Sequence, residues 1–183
     1  MPQIRRLRWP DTRAAIVEAT VLAVACLITY VVVTHVLTLA YAASPEDDLL
    51  GGVWAVVATI FVLRDSYEQS VAMAVSRVAA TSVSFAICLI YLLFLPVYVW
   101  SFAALIGVSV LAVTLMGRPG DAVTAAISTA VLMGVAAINP QDAWLQPILR
   151  LADTLAGVAI GVVAAIADMR FIRPRLRSRT PPA

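Results

Sequence analysis

Lysine is absent from this chain, and all thirteen of its basic residues are arginine. Arginine stays ionised and makes forked contacts to carboxylates and phosphates, although genome composition alone can also remove lysine. Charge of either sign is scarce, at 13% of residues, against 62% hydrophobic residues and a mean hydropathy of +0.93. Soluble domains carry about 25% charge and about 45–50% apolar residues, so this composition excludes an ordinary water-soluble domain. There are only two cysteines, Cys26 and Cys88, both inside apolar runs and without metal-ligand spacing. That excludes a disulfide framework and a thiolate metal site, and leaves both as packing residues. The chain also lacks a phosphate-cradling glycine loop, G-x-S-x-G, H-E-x-x-H and any Cys/His cluster. No enzyme chemistry, metal or cofactor is expected from it, nor an ATP-driven pump. No cleavable signal peptide is evident either, because the first apolar run is too long for one.

What is present is a series of uncharged stretches, each bounded by charge. Between Glu18 and Glu46 there is no formal charge and one histidine, which predicts a first helix over 15–42. Residues 49–63 give a second, only about fifteen residues long, that spans if Arg64 snorkels or the bilayer thins. The forty residues from Val78 to Gly117 hold no charge, enough for two helices with Pro96 at the turn between them. A fifth helix fits 122–139, and a sixth fits 144–168 with Arg150 and Asp153 inside it. The fold class expected is all-α, a polytopic membrane protein with six transmembrane helices arranged as two inverted three-helix repeats. Residues 15–169 form that module, between a cytoplasmic Arg-rich arm (1–14) and a cytoplasmic Arg/Pro-rich tail (170–183).

Orientation follows from the arginines. Arg5, Arg6, Arg8 and Arg13 precede the first helix, and Arg170, Arg173, Arg175, Arg177 and Arg179 follow the last. Arg64, Arg77 and Arg118 fall at connections on the same side, whereas Glu46-Asp47-Asp48 and Asp142 mark the other. The positive-inside rule then puts both ends in the cytoplasm, with Tyr98, Trp100 and Trp144 at the outer interface. The basic flanks are read as touching anionic lipid heads, not nucleic acid. The adjacent acids 46–48 are read as solvated, although three carboxylates can also hold a cation.

Two stretches repeat. Arg77-Val-Ala-Ala-Thr81-Ser-Val-Ser84 and Arg150-Leu-Ala-Asp-Thr154-Leu-Ala-Gly157 both read R-x-x-x-T with a small residue three positions later. Three helices per copy would insert the second copy upside down, as in inverted-repeat transporters. On a helix the Arg, the Thr four residues on and the small residue seven on share one face. Thr81, Ser84, Thr154, Gly157 and Gly161 are therefore read as helix-packing residues that let the third and sixth helices meet at the centre.

Trp54, the polar stretch Asp65-Ser-Tyr-Glu-Gln69 and Arg77-x-x-x-Thr81 resemble the fusaric acid resistance/aromatic acid exporter family, and Arg150-Leu-Ala-Asp-Thr-Leu-Ala-Gly resembles that family's sixth helix. The resemblance spans about 15–167. It implies a bacterial inner-membrane exporter of aromatic carboxylates or similar amphipathic compounds, driven by the proton gradient and working beside a periplasmic adaptor. Longer members carry two six-helix modules and a cytoplasmic domain, so this single module implies self-association or a reduced relative. Alanine and serine stand at Ala80 and Ser84 where family versions often have glycine.

Arg150 and Arg77 are the candidate substrate-binding residues. Arg150 lies about 9 Å past Trp144 along a helix, where an unpaired charge costs about 2.5–3.5 kcal/mol. Asp153 shares its face and is the leading proton-coupling candidate, with a structural ion pair as the plainer reading. Arg77 is read as an inner-mouth anion attractor, or as an arginine that snorkels to lipid phosphates. His35 and Glu18 complete the proton-coupling candidates, against a neutral hydrogen-bonded histidine and an interfacial ion pair with Arg13. The function expected is proton-coupled export of aromatic acids or similar small organic anions by a homo-oligomer in contact with membrane lipids. The alternative is a non-transporting scaffold subunit of a larger envelope complex.

Overall fold

The computed structural model describes residues 12–37, 45–64, 66–138, 140 and 143–172. Six long helices make up the fold: α1 Thr12–Val32, α2 Pro45–Val62, α3 Tyr67–Phe94, α4 Val99–Leu115, α5 Ala122–Ile138 and α6 Gln146–Ala167. Helices α1 and α6 each run on into a wider π turn, over Val33–Leu37 and Asp168–Ile172. Among the described residues there is no strand. A chain that must keep every amide satisfied in lipid has helices as its local solution.

Two borders differ from those that charge alone suggests. Helix α3 opens at Tyr67, ten residues before Arg77, because the Ser66 hydroxyl caps it by accepting from the Gln69 N–H at 3.3 Å. Arg77 therefore sits about 15 Å into a helix at ~1.5 Å per residue, not at its mouth. Helix α2 begins at Pro45, so Glu46, Asp47 and Asp48 belong to its first turn and not to a loop. Proline suits a first helical position. Pro96 does fall in the α3–α4 turn, where the Tyr91 hydroxyl donates to its carbonyl. Helix α4 ends on Gly117, whose φ of 79° lets the Arg118 and Gly117 amides turn back to Val113 and Thr114.

Paired contacts fix the direction of each helix. Thr29 meets Thr59 while Thr34 reaches Gly52, so α1 and α2 are antiparallel. Phe61 meets Arg77 and Trp54 meets Phe85, so α2 and α3 are antiparallel as well. Ser76 donates to Asp121 and Ser84 to the Ala125 carbonyl, which makes α3 and α5 parallel. Ser109 accepts from Thr129 and Val113 packs with Ala125, setting α4 against α5. Trp54 with Thr154 and Thr59 with Gly157 make α2 and α6 parallel. Hence α1, α3 and α5 run one way, and α2, α4 and α6 the other.

The interior is lined by small and hydroxyl side chains. Thr29, Thr59, Ser84, Ser109, Thr129 and Thr154 are completely buried, as are Ala55, Ala58 and Ala136. Large apolar side chains such as Leu27, Ile90, Phe94 and Val163 face outward instead. That inversion is what lipid-facing helices require, since close packing rather than apolar burial holds them together. Four segments are long and apolar enough to cross a membrane: Ala15–His35, Tyr67–Phe94, Pro119–Ile138 and Ala143–Arg170. The apolar parts of α2 (Leu49–Val62) and α4 (Val99–Leu115) are shorter. The arginines from Arg5 to Arg8, those from Arg173 onward, Asp65 and Asp142 lie outside the described residues.

Candidate functional site

Arg150 and Asp153 stand three residues apart on α6, so their side chains share a face. They form an ion pair of 3.0 Å with only 3% and 8% of each side chain exposed. The Asp153 carboxylate lies over Gly51 of α2. A Cβ there would fall 2.9 Å from Oδ2, so glycine is what gives the carboxylate room. One residue on, the Thr154 hydroxyl donates to the Arg150 carbonyl at 2.8 Å and accepts from the Trp54 indole N–H at 2.8 Å.

Trp54 carries a second arginine on its ring. The Arg77 guanidinium carbon lies 5.6 Å from the Trp54 centroid and 4.7 Å from that of Phe61. Phe61 and Trp54 are two turns apart on α2, so the guanidinium points along the interior seam. Arg77 is 2% exposed, and none of its three side-chain nitrogens has a hydrogen-bond partner among the described residues. The Thr81 hydroxyl, one turn further along α3, is also buried and without a partner among them. Two ring faces give up to about 2 kcal/mol each to a desolvated cation. That roughly offsets the ~2.5–3.5 kcal/mol of insertion. The N–H donors still lack acceptors, at about 1–3 kcal/mol apiece. The arrangement is thus an aromatic-walled cation whose hydrogen bonds are unmade among the described residues.

The two R-x-x-x-T segments therefore meet on one residue, Trp54, and their arginines differ in state. Arg150 has its carboxylate beside it; Arg77 has rings and, among the described residues, no acceptor. Ala80 occupies the slot corresponding to Asp153 and is itself buried at 1%.

A second polar site lies away from this seam. Glu18 of α1, Arg64 after α2 and Asp168 after α6 line one cleft of about 470 Å³. Asp168 is buried at 9% exposure, whereas Glu18 is exposed.

A family model described as fusaric acid resistance protein-like matches residues 38–164, over two thirds of the chain. The chain belongs to that family. No curated protein and no solved structure matches it. The fusaric acid resistance protein-like family is one of membrane transporters linked to efflux and not of enzymes, and the helices make this member a multi-pass membrane protein.

Within this family member the candidate residues do not form one site. Arg77 and Thr154 touch Trp54, Thr154 also bonds to the Arg150 carbonyl, and Asp153 pairs with Arg150. Ser84 bonds to the Ala125 carbonyl of α5 at 3.1 Å, and not to α6. Gly157 and Gly161 face Ala55, Thr59 and Val62 of α2, although α3 also packs along α6. His35 is exposed, and its Nδ1 lies 3.1 Å from Thr34 Oγ1 on its own helix. Glu18 belongs to the separate cleft. Sequence reasoning treats Trp54 only as a mark of resemblance and Asp168 as a helix boundary. Both carry more than that, and only the α2–α6 register reveals it.

Proposed function

We propose that this chain is a six-helix module of a bacterial inner-membrane secondary transporter that exports aromatic acids or similar small organic anions, coupled to protons. The alternation of helix direction supports six crossings: if α1, α3 and α5 cross, α2 and α4 return the chain over the same layer, shortness notwithstanding. The arginine distribution supports cytoplasmic termini. Two inverted three-helix repeats account for the doubled R-x-x-x-T segment.

The observation that carries the reading is the buried Arg77 guanidinium, held by rings and lacking an acceptor among the described residues. In the proposed cycle, Arg77 takes the substrate carboxylate, Thr81 donates to it, and Trp54 and Phe61 flank it. Arg150 is occupied by Asp153 while the carboxylate is charged. A proton arriving at Asp153 from outside weakens that pair and lets Arg150 draw the anion onward, a population shift between two states. The module self-associates to form the working unit and meets a periplasmic adaptor.

The test is anion-dependent proton flux in vesicles carrying the purified protein. Arg77→Gln and Asp153→Asn should each lose coupled transport while still inserting. Full transport by both would remove the mechanism, and co-purification with an unrelated subunit would point to the scaffold reading instead.

A further inference from the structure

Trp54 and Phe61 stand two turns apart on α2, about 10 Å along it at ~1.5 Å per residue. The Arg77 guanidinium carbon is 5.6 Å from one ring centroid and 4.7 Å from the other, so it lies between the two rings. The rings close the approaches along α2 and leave the N–H groups pointing across the seam. A guanidinium only donates, and the Thr81 hydroxyl on the same face of α3 adds one more donor. Neither side chain has a partner among the described residues. In the first R-x-x-x-T copy the slot of Asp153 is Ala80, which packs with Val113 of α4 and Ala125 of α5, so α3 brings no carboxylate of its own there. The other arginine of the seam, Arg150, is already offset by Asp153 at 3.0 Å. Arg64 is exposed and lines the separate cleft with Glu18 and Asp168.

We propose that the Arg77 site takes a single negative charge: its ligand is a monocarboxylate, and a dicarboxylate of the same length is refused. The proposal rests on the reading of Arg77 as the residue that takes the transported anion, and adds what that residue selects. One carboxylate set against the guanidinium makes forked N–H···O bonds, neutralises the cation and keeps a lone pair for the Thr81 hydroxyl. A second carboxylate on the same ligand enters the seam as a buried charge with no cation to meet it, which is the costly case. The site therefore discriminates by its penalty on the wrong ligand, not by extra contacts to the right one.

The experiment is titration calorimetry of the purified full chain in detergent with terephthalate and with monomethyl terephthalate. The two have nearly the same shape and differ by one charge at neutral pH, where carboxylates are ionised. The expected result is binding of the monomethyl ester about tenfold or more tighter than that of the dianion. Thr81→Asp, a change of nearly equal volume, places a carboxylate one turn from Arg77. It should weaken binding of the ester about tenfold or more without lowering the melting temperature. Thr81→Asn, of the same size and uncharged, should keep that affinity within about threefold. Equal affinity of the unaltered protein for the two ligands overturns the proposal and leaves Arg77 as the anion-binding residue, whatever the variants do. Unchanged affinity for the ester in Thr81→Asp overturns it as well, as does an equal loss in Thr81→Asn. Binding of neither ligand, or binding that Arg77→Gln leaves unaltered, removes the reading of Arg77 itself and the proposal with it.

Discussion

A Cβ on Gly157 would sit 2.1 Å from the carbonyl oxygen of Ala55, so α2 and α6 touch backbone to backbone at that point. No rotamer relieves such a clash, because both partners are main chain. Gly157→Ala must push the helices apart, and small-to-large changes in packed interiors cost about 1–3 kcal/mol, sometimes more. At Gly161 the added Cβ would meet Thr59 and Val62 at 3.2–3.3 Å, a contact that a shift of tenths of an ångström absorbs. Thermal melts in detergent should therefore rank Gly157→Ala well below Gly161→Ala. Equal melting temperatures would contradict the α2–α6 register.

Thr59 ties three helices at one place. Its hydroxyl lies 2.9 Å from the Gly157 carbonyl, 3.1 Å from that of Ala55 and 2.9 Å from Thr29 Oγ1 on α1. Interhelical hydrogen bonds in membrane proteins contribute about 0.6 kcal/mol each, up to ~1.7. Thr59→Val keeps the shape and removes the bonds, so unfolding measurements should show a loss of about 1 kcal/mol. Thr29→Val should add little to it, since the pair shares one bond, and a double-mutant cycle reads that coupling.

Apolar runs and their bounding charges were enough to count six helices, because hydrophobic length is a local property. They do not locate the start of α3, because Arg77 reads as a border by charge and yet is buried three turns inside the helix. A charge ends a span only where water or a headgroup receives it; here two rings on α2 do. The Arg150–Asp153 spacing predicted a pair on one face, and the pair is there. That Trp54 serves both arginine segments was not readable from spacing, because it depends on the register between helices about a hundred residues apart in sequence. The same holds for Asp168, which lines one cleft with Glu18 and Arg64 only once α6 lies beside α1 and α2.

Asp153 and Gly51 offer a way to perturb the pair from the opposite helix. Gly51→Ala would place a methyl within 2.9–3.2 Å of the carboxylate and displace it from Arg150 without changing any charge. Asp153→Asn removes the charge and leaves Arg150 buried, which costs about 3–5 kcal/mol when one partner of a buried pair is lost. Gly51→Ala should melt above Asp153→Asn yet resemble it in coupled transport, with proton flux reduced at least tenfold in both. Gly51→Ala vesicles with normal flux would show that the pair is structural only.

Trp54 performs two jobs that substitution separates. Its indole N–H serves Thr154, and its ring serves Arg77. Trp54→Phe keeps a ring and loses the donor; Thr154 still donates to the Arg150 carbonyl, so stability should fall by less than about 1 kcal/mol. Trp54→Leu removes the ring as well, leaving the guanidinium on Phe61 alone. A desolvated cation–π contact of up to ~2 kcal/mol is about a thirtyfold change in an equilibrium constant. If the ring holds Arg77 in place for an anion, aromatic carboxylate affinity read by thermal shift should drop a few-fold in Trp54→Phe and about tenfold or more in Trp54→Leu. Arg77→Lys should lie near Trp54→Leu, because a point charge keeps the sign but loses the flat face that stacks. Equal affinity in Trp54→Leu and the unaltered protein would separate Arg77 from anion binding, whatever the variant does to stability.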